Sequence, residues 1–161
     1  MRRSYLRGWS RILSDVQVCP CGSQHPYRDC CRYHATEEAA PTPEVLMRSR
    51  YSAFVQNRAE YLLATWHQST RPEQLDLADS PNWVGLSVLE ADETGDSGHV
   101  HFKAFYRFND QWRFLEERST FIREAGQWFY VEGKTRDESF KPGRNESCLC
   151  GSGRKFKRCC G

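Results

Sequence analysis

His99-Val100-His101-Phe102-Lys103-Ala104-Phe105-Tyr106-Arg107-Phe108 puts Val100, Phe102, Ala104, Tyr106 and Phe108 on one face and His101, Lys103, Phe105 and Arg107 on the other, the alternation of a β-strand. Similar runs flank it: Trp83 to Ala91 before, Trp112 to Arg123 and Trp128 to Glu132 after. Asp92 to Gly98, Asn109-Asp110 and Glu124 to Gln127 supply turn residues between them, so an antiparallel meander is expected.

Upstream the period changes. Thr42 stands ready to cap a helix that has Pro43 at its first position and Glu44 in its first turn, with Leu46, Met47, Tyr51, Ala53, Phe54 and Val55 at roughly helical spacing. Asn57-Arg58 interrupts this helix, and Ala59 to His67 resumes it with Tyr61, Leu62 and Trp66 on one side. Helices followed by an antiparallel sheet define an α+β domain with the helices on one sheet face. At 161 residues and 39% hydrophobic content, the chain has material for one core and for appendages too small to fold without staples. No run approaches the ~18 apolar residues of a membrane span.

The staples lie further out. Cys19-Pro-Cys21-Gly-Ser is followed by Cys30-Cys31, with eight residues between Cys21 and Cys30; Cys148-Leu-Cys150-Gly-Ser is followed at the same spacing by Cys159-Cys160, and these are all eight cysteines. The copies are offset by 129 residues, which also matches Gly22 with Gly151, Ser23 with Ser152, Tyr27 with Phe156 and Arg28 with Lys157. Disulfides within Cys-x-Cys or Cys-Cys pairs force rings far from relaxed geometry, whereas a tetrahedral ion accepts all four sulfurs. Gly22 and Gly151 permit the tight knuckles that turn both leading thiols inward. Two four-cysteine sites are expected, with Cys19, Cys21, Cys30 and Cys31 at one and Cys148, Cys150, Cys159 and Cys160 at the other. Four thiolates favour structural Zn2+, and iron suits the same soft tetrahedron.

Met1-Arg2-Arg3-Ser4-Tyr5-Leu6-Arg7 is superficially like a twin-arginine signal, but Gly8-Trp9-Ser10-Arg11 stands where an apolar segment belongs. The reading is cytoplasmic, where thiols stay reduced and serve as metal ligands. Overall charge, +2 with thiols neutral, selects no partner. Locally the frames differ: residues 141–161 carry Lys141, Arg144, Arg154, Lys155, Lys157 and Arg158 against Glu146, whereas residues 19–34 carry Arg28 and Arg32 against Asp29.

Cys148-Leu-Cys150-Gly-Ser-Gly-Arg-Lys-Phe-Lys-Arg-Cys159-Cys160 resembles the SEC-C motif found at the tail of the translocation motor SecA. The first copy keeps the cysteines, Gly22 and Ser23 but has Gln24 in place of the family's glycine and Asp29 near a basic position. Two such motifs around Pro43-Glu-Val-Leu-Met-Arg-Ser-Arg-Tyr-Ser-Ala-Phe, with Tyr61-Leu, Thr65-Trp-His67, Glu117-Arg-Ser119, Gly126-Gln-Trp128 and Phe140-Lys-Pro-Gly-Arg-Asn145, resemble the bacterial YchJ-like proteins. The resemblance implies a cystatin-like cone of the nuclear transport factor two-like superfamily, flanked by two four-cysteine knuckles. The expected layout is an extension at 1–18, read as a basic tail or as an overextended start with initiation at Val16 or Val18, a first knuckle at 19–34, the cone at 42–135, a linker at 136–147 and a second knuckle at 148–161.

Two functional classes follow. A non-enzymatic adaptor would present Arg154, Lys155, Lys157 and Arg158 to a protein partner or the ribosome, as the likeness to SecA's tail implies; with Phe156 alone interleaved among the charges, sequence-specific nucleic-acid readout is not expected. A small-molecule binder or enzyme would instead use the pocket such cones enclose, with His67, His101 and Glu117 as candidates. None of the three sits in a recognisable catalytic spacing, and no catalytic residue is assigned. Arg48 and Arg50 read as ion-paired or solvated heads, and Trp66, Trp83, Trp112 and Trp128 as core.

Overall fold

The alternating stretch forms β2, Ser97–Phe108, within one antiparallel sheet ordered β1-β2-β3-β4, with β1 at Trp83–Thr94, β3 at Gln111–Glu124 and β4 at Gln127–Phe140. The computed structural model describes residues 17–161; the reading of 1–18 as an extension therefore lies, apart from Gln17 and Val18, outside the described residues. Tight turns join the strands, with positive φ at Asn109 and Asp110 and again at Ala125 and Gly126, the left-handed pair that matches strand twist. Register shifts at Trp83/Gly85, Val88/Glu90 and Thr120/Phe121 add the local bends that curl a sheet.

β4 runs eight residues past the expected Glu132, to Phe140, so residues 136–140 are strand and not linker. The run Lys134 to Ser139 lacks apolar alternation because its side chains pair across the sheet: Arg136 with Glu116, and Arg113 with Asp137 at 2.8 Å. The backbone ladder continues regardless, matching Leu115 to Asp137 and Trp112 to Phe140. Phe108, grouped by alternation with the buried Val100 and Ala104, is 60% exposed because it ends its strand beyond the helical cover.

Helix α1 is Cys31–Thr36, α2 is Pro43–Val55 and α3 is Ala59–Ala64. Thr42 caps α2 as expected, its Oγ1 accepting from Val45 N at 3.2 Å. α2 crosses the inner sheet face and buries Leu46, Met47, Ser49, Arg50, Tyr51, Ser52 and Ala53, a wider arc than an amphipathic surface helix covers. α3 stops before Trp66. There the chain turns along β4, with Tyr130 N donating to Thr65 O at 2.9 Å and His67 N donating to Tyr130 O at 2.7 Å. His67 is thus hydrogen-bonded to the edge strand of the sheet and is not the end of a helix. Trp128 is buried; Trp66 and Trp83 line a cavity within the cone.

Candidate metal centre

The 129-residue offset holds bond for bond. Cys19 N donates to His25 O and Cys148 N to Arg154 O, both at 2.8 Å; Gly22 N donates to Cys19 O at 3.3 Å and Gly151 N to Cys148 O at 3.1 Å. A 3-10 turn follows in each, Tyr27–Asp29 and Phe156–Arg158, and it carries the trailing cysteine pair back toward the knuckle. Gly22 and Gly151 have φ of 82° and 77°, as the tight turn demands. Phe156 of the second turn packs edge-on against Trp112 of β3 with centroids 5.6 Å apart.

The four sulfurs of each frame lie within 4.8 Å of one another. Cys21 and Cys30 Sγ are 3.6 Å apart and Cys30 and Cys31 4.0 Å; in the second frame Cys150 and Cys159 are 3.5 Å apart and Cys159 and Cys160 4.0 Å. A tetrahedron with metal–sulfur bonds of about 2.3 Å has edges of about 3.8 Å, so each frame fits a single ion with a closed four-sulfur shell. Hydroxyl donors offset the thiolate charge: Ser23 Oγ lies 3.2 Å from Cys30 Sγ and Ser152 Oγ 3.3 Å from Cys159 Sγ, the outer-shell support metal ligands require. The Cys30 thiol is held down to about 6 by hydrogen bonding from Cys31 and then Ser23. Ser152, followed by Cys150 and Cys148, holds Cys159 to about 6. Cys31 is pushed up by its bonds to Cys19 and Cys21, and Cys160 is pushed up chiefly by burial. Binding of a cation by either frame displaces its thiol protons.

The frames differ in setting. The first belongs to the core: Cys19, Cys21 and Cys31 are at most 3% exposed, Cys19 Sγ meets Ser52 Oγ of α2 at 3.6 Å, and Arg48 Nη1 donates to Cys21 O at 2.7 Å while its Nη2 pairs with Glu44. Tyr27 OH donates to Gln56 Oε1 at 2.8 Å. Arg48, read as an ion-paired or solvated head, is both a partner of Glu44 and a clasp on the knuckle. The second frame sits on the sheet, where Leu149 O presses on Gly85 so closely that a Cβ there would lie 1.6 Å away. Its remaining three cysteines after Cys148 are only partly buried, and Arg154, Lys155, Lys157 and Arg158 are all exposed, with no carboxylate within 4.0 Å among the described residues.

The chain's two ends also meet. Gln24 Nε2 donates to Gly151 O at 2.6 Å, tying one knuckle to the other. Gln24 holds a φ of 66° where Gly153, its counterpart, has 77°; the left-handed conformation costs a non-glycine residue ~1–2 kcal/mol, and this hydrogen bond offsets part of that. Sequence reading treated Gln24 as a departure from pattern and missed the contact, as it missed Gly85, because both lie between segments far apart in the chain.

Of the pocket candidates, Glu117 lines the cone cavity. His101 is on the outer sheet face, its Nε2 2.6 Å from Glu116 Oε1; Arg136 bonds the other oxygen of that carboxylate, and these bonds hold Glu116 down to about 2. His67 is engaged outside the cavity with Ser69 Oγ at 2.6 Å and Glu124 Oε1 at 2.9 Å. Arg50 is 6% exposed and is neither solvated nor ion-paired.

A four-stranded cone with two four-thiol knuckles defines a SEC-C-bearing protein with an NTF2-like domain. The matching families are "YchJ, middle NTF2-like domain" over residues 42–133 and "SEC-C motif" over residues 144–161. A UPF0225 protein of Shewanella sp. (strain MR-7) is 43% identical across 89% of this chain and 96% of its own length, and one of Enterobacter sp. (strain 638) is 44% identical across 91% and 99%. The chain belongs to the YchJ-like family of UPF0225 proteins. The solution structure of a SEC-C motif containing protein from Rhodopseudomonas palustris matches with TM-score 0.67 and 31% identity over 73% of this chain and 98% of that one. A crystal structure of another from Psychrobacter arcticus matches with TM-score 0.62 and 29% identity over 91% and 96%. No helix among the described residues is long and apolar enough to cross a membrane.

Proposed function

We propose that this protein is a cytoplasmic adaptor stabilised by two Zn2+ ions, and that its C-terminal knuckle docks an acidic surface of a protein partner or of the ribosome. The observation that carries the reading is the set of exposed cations Arg154, Lys155, Lys157 and Arg158, without carboxylate partners among the described residues, on a knuckle seated by the Leu149 backbone against Gly85 and by the Phe156 ring against Trp112. A rigid cationic ridge loses little entropy on docking and steers oppositely charged partners. A closed four-sulfur shell leaves no position for a reacting water, so the ions serve the shape of the ridge. Iron in the same frames would serve it equally.

The test is recovery of partners from native cells with the wild type, with K155E/K157E/R158E, and with C148S/C150S. The charge-reversed variant keeps every ligand and is expected to retain two ions per chain while losing its partners. An unchanged set of partners with that variant overturns the reading, whatever the cysteine variant does.

A further inference from the structure

Beneath α2 lies a partly open cavity of about 160 Å³, comparable in volume to an engineered apolar cavity of about 150 Å³ that takes up benzene. Its wall is mostly aromatic, with Phe54, Trp66, Trp83, Phe102, Phe121 and Tyr130 contributing. Two charged side chains interrupt it. Arg50 spends Nη1 on Leu62 O and Thr65 Oγ1, each at 2.7 Å, leaving Nε and Nη2 without an acceptor among the described residues. Glu117 receives Ser119 Oγ and Tyr130 OH, each at 2.9 Å, on Oε1 alone, leaving Oε2 free in the same sense.

These free atoms are not sealed in. Among the described residues Gln56 Nε2 is the single fully enclosed side-chain polar atom without a partner, so the spare edges of Arg50 and Glu117 open onto the cavity that both residues line. The two do not pair with each other within 4.0 Å, although an ion pair would be the ordinary resolution of a buried cation and carboxyl. Both are held in place by packing. The Arg50 guanidinium lies 4.6 Å from the Tyr130 ring centroid and 5.4 Å from that of Trp66. Glu117 occupies space above Gly133, where a Cβ would come within 2.1 Å of Oε1. Burial pulls Arg50 down only to about 10, so it remains a cation at neutral pH.

We propose that the cavity binds a single-ring aromatic molecule that bears a carboxylate or carbonyl acceptor for Arg50 and an N–H or O–H donor for Glu117. The aromatic walls take the ring, and the polar atoms left over on two fixed side chains define which polar groups it must carry. A site built to hydrogen-bond both edges rejects analogues that lack either, because a buried group is then left unpaired.

The metal-loaded full chain is titrated by calorimetry and by NMR of the indole N–H groups with 4-aminobenzoate, benzoate and aniline. 4-Aminobenzoate is expected to bind saturably at one site and to perturb Trp66 and Trp83, with benzoate and aniline at least tenfold weaker. E117Q, which keeps the hydrogen bonds from Ser119 and Tyr130, should weaken 4-aminobenzoate several-fold and leave benzoate unchanged. A104L, which fills the cavity without touching either charge, should abolish binding of all three; A104V, a smaller change, should weaken it if A104L fails to fold. Absence of saturable binding at millimolar 4-aminobenzoate, equal affinity for the three probes, or undiminished binding in a folded Ala104 variant overturns the proposal.

Discussion

Gly85→Ala tests the seating of the C-terminal knuckle on the cone. The added Cβ would meet Leu149 O at 1.6 Å and Leu149 C at 2.7 Å, with Cys150 Cα at 3.3 Å. Carbon and carbonyl oxygen rest at about 3.3 Å or more, so the knuckle must retreat by roughly 1.7 Å, and it is backbone that has to move. A shift of that size breaks the 2.6 Å bond from Gln24 to Gly151 O, worth ~1 kcal/mol, and separates Phe156 from Trp112, an aromatic pair worth ~0.5–1.5 kcal/mol beyond its buried area. The expected loss is ~1.5–2.5 kcal/mol, or a fall in Tm of about 3–10 °C for a chain of this size. Transfer of metal to a chromogenic chelator gives the sharper readout, because the C-terminal ion alone should leave faster, by about tenfold or more. Gly126→Ala is the control: it imposes the strain of a positive φ of 78° with nothing within 4 Å of the new Cβ, so it should cost ~1 kcal/mol and leave metal transfer unchanged. If G85A releases both ions at the wild-type rate with unaltered Trp112 emission, the knuckle is not seated there and the reasoning fails.

Other expectations follow from the same contacts. Arg48→Ala removes the donor to Cys21 O and should cost ~1–2 kcal/mol while accelerating loss of the N-terminal ion only; equal acceleration of both ions would contradict the clasp. Gln24→Gly relieves the positive φ but removes the bridge, so total stability should change by less than ~1 kcal/mol, while release of one ion ceases to depend on mutation of the other frame, as a double-mutant cycle would reveal. Glu116, depressed to about 2 by His101 and Arg136, stabilises the fold fully above its unfolded value near 4.5 and loses that contribution as pH falls through about 2. The stability difference between wild type and Glu116→Gln should therefore shrink on acidification from pH 5 to pH 2; comparison of the two cancels metal loss common to both, and a gap that stays constant would refute the assignment.

The alternation at 99–108, the Thr42–Pro43 cap and the doubled cysteine spacing are local signals, and each led to the element or cluster observed. The outer half of β4 was illegible because its stabilising partners, Glu116 and Arg113, come from another strand and replace apolar alternation with cross-strand charge. Trp66 and His67 misled for a related reason: the i+4 spacing of Trp66 from Leu62 is real, but pairing with Tyr130 overrides it. Among the site residues, the eight thiols were legible because one ion must be reached from short sequence separations. Gly85, Gln24 and Arg48 were not, since what makes each matter is a segment remote in the chain.

The two frames diverge where their surroundings do. Pro20 stands where the second frame has Leu149, the residue whose carbonyl abuts Gly85; Gln24 stands where the second has Gly153, and its longer side chain reaches Gly151; Arg28 and Asp29 pair with each other at 3.4 Å, where the second frame has two cations, Lys157 and Arg158. The ligands, the knuckle glycines and the serines that bond a sulfur are common to both, because coordination chemistry fixes them. Contacts fix the rest. The first frame, enclosed by α2 and drawing on Ser52 and Arg48, serves as part of the core and has no need of surface charge. Its partner frame, held by backbone contacts at one side, leaves its cations facing water. The unequal charge of the repeats is thus what two copies of one four-cysteine frame become when the thiols of one are buried against a helix and those of the other lie nearer solvent.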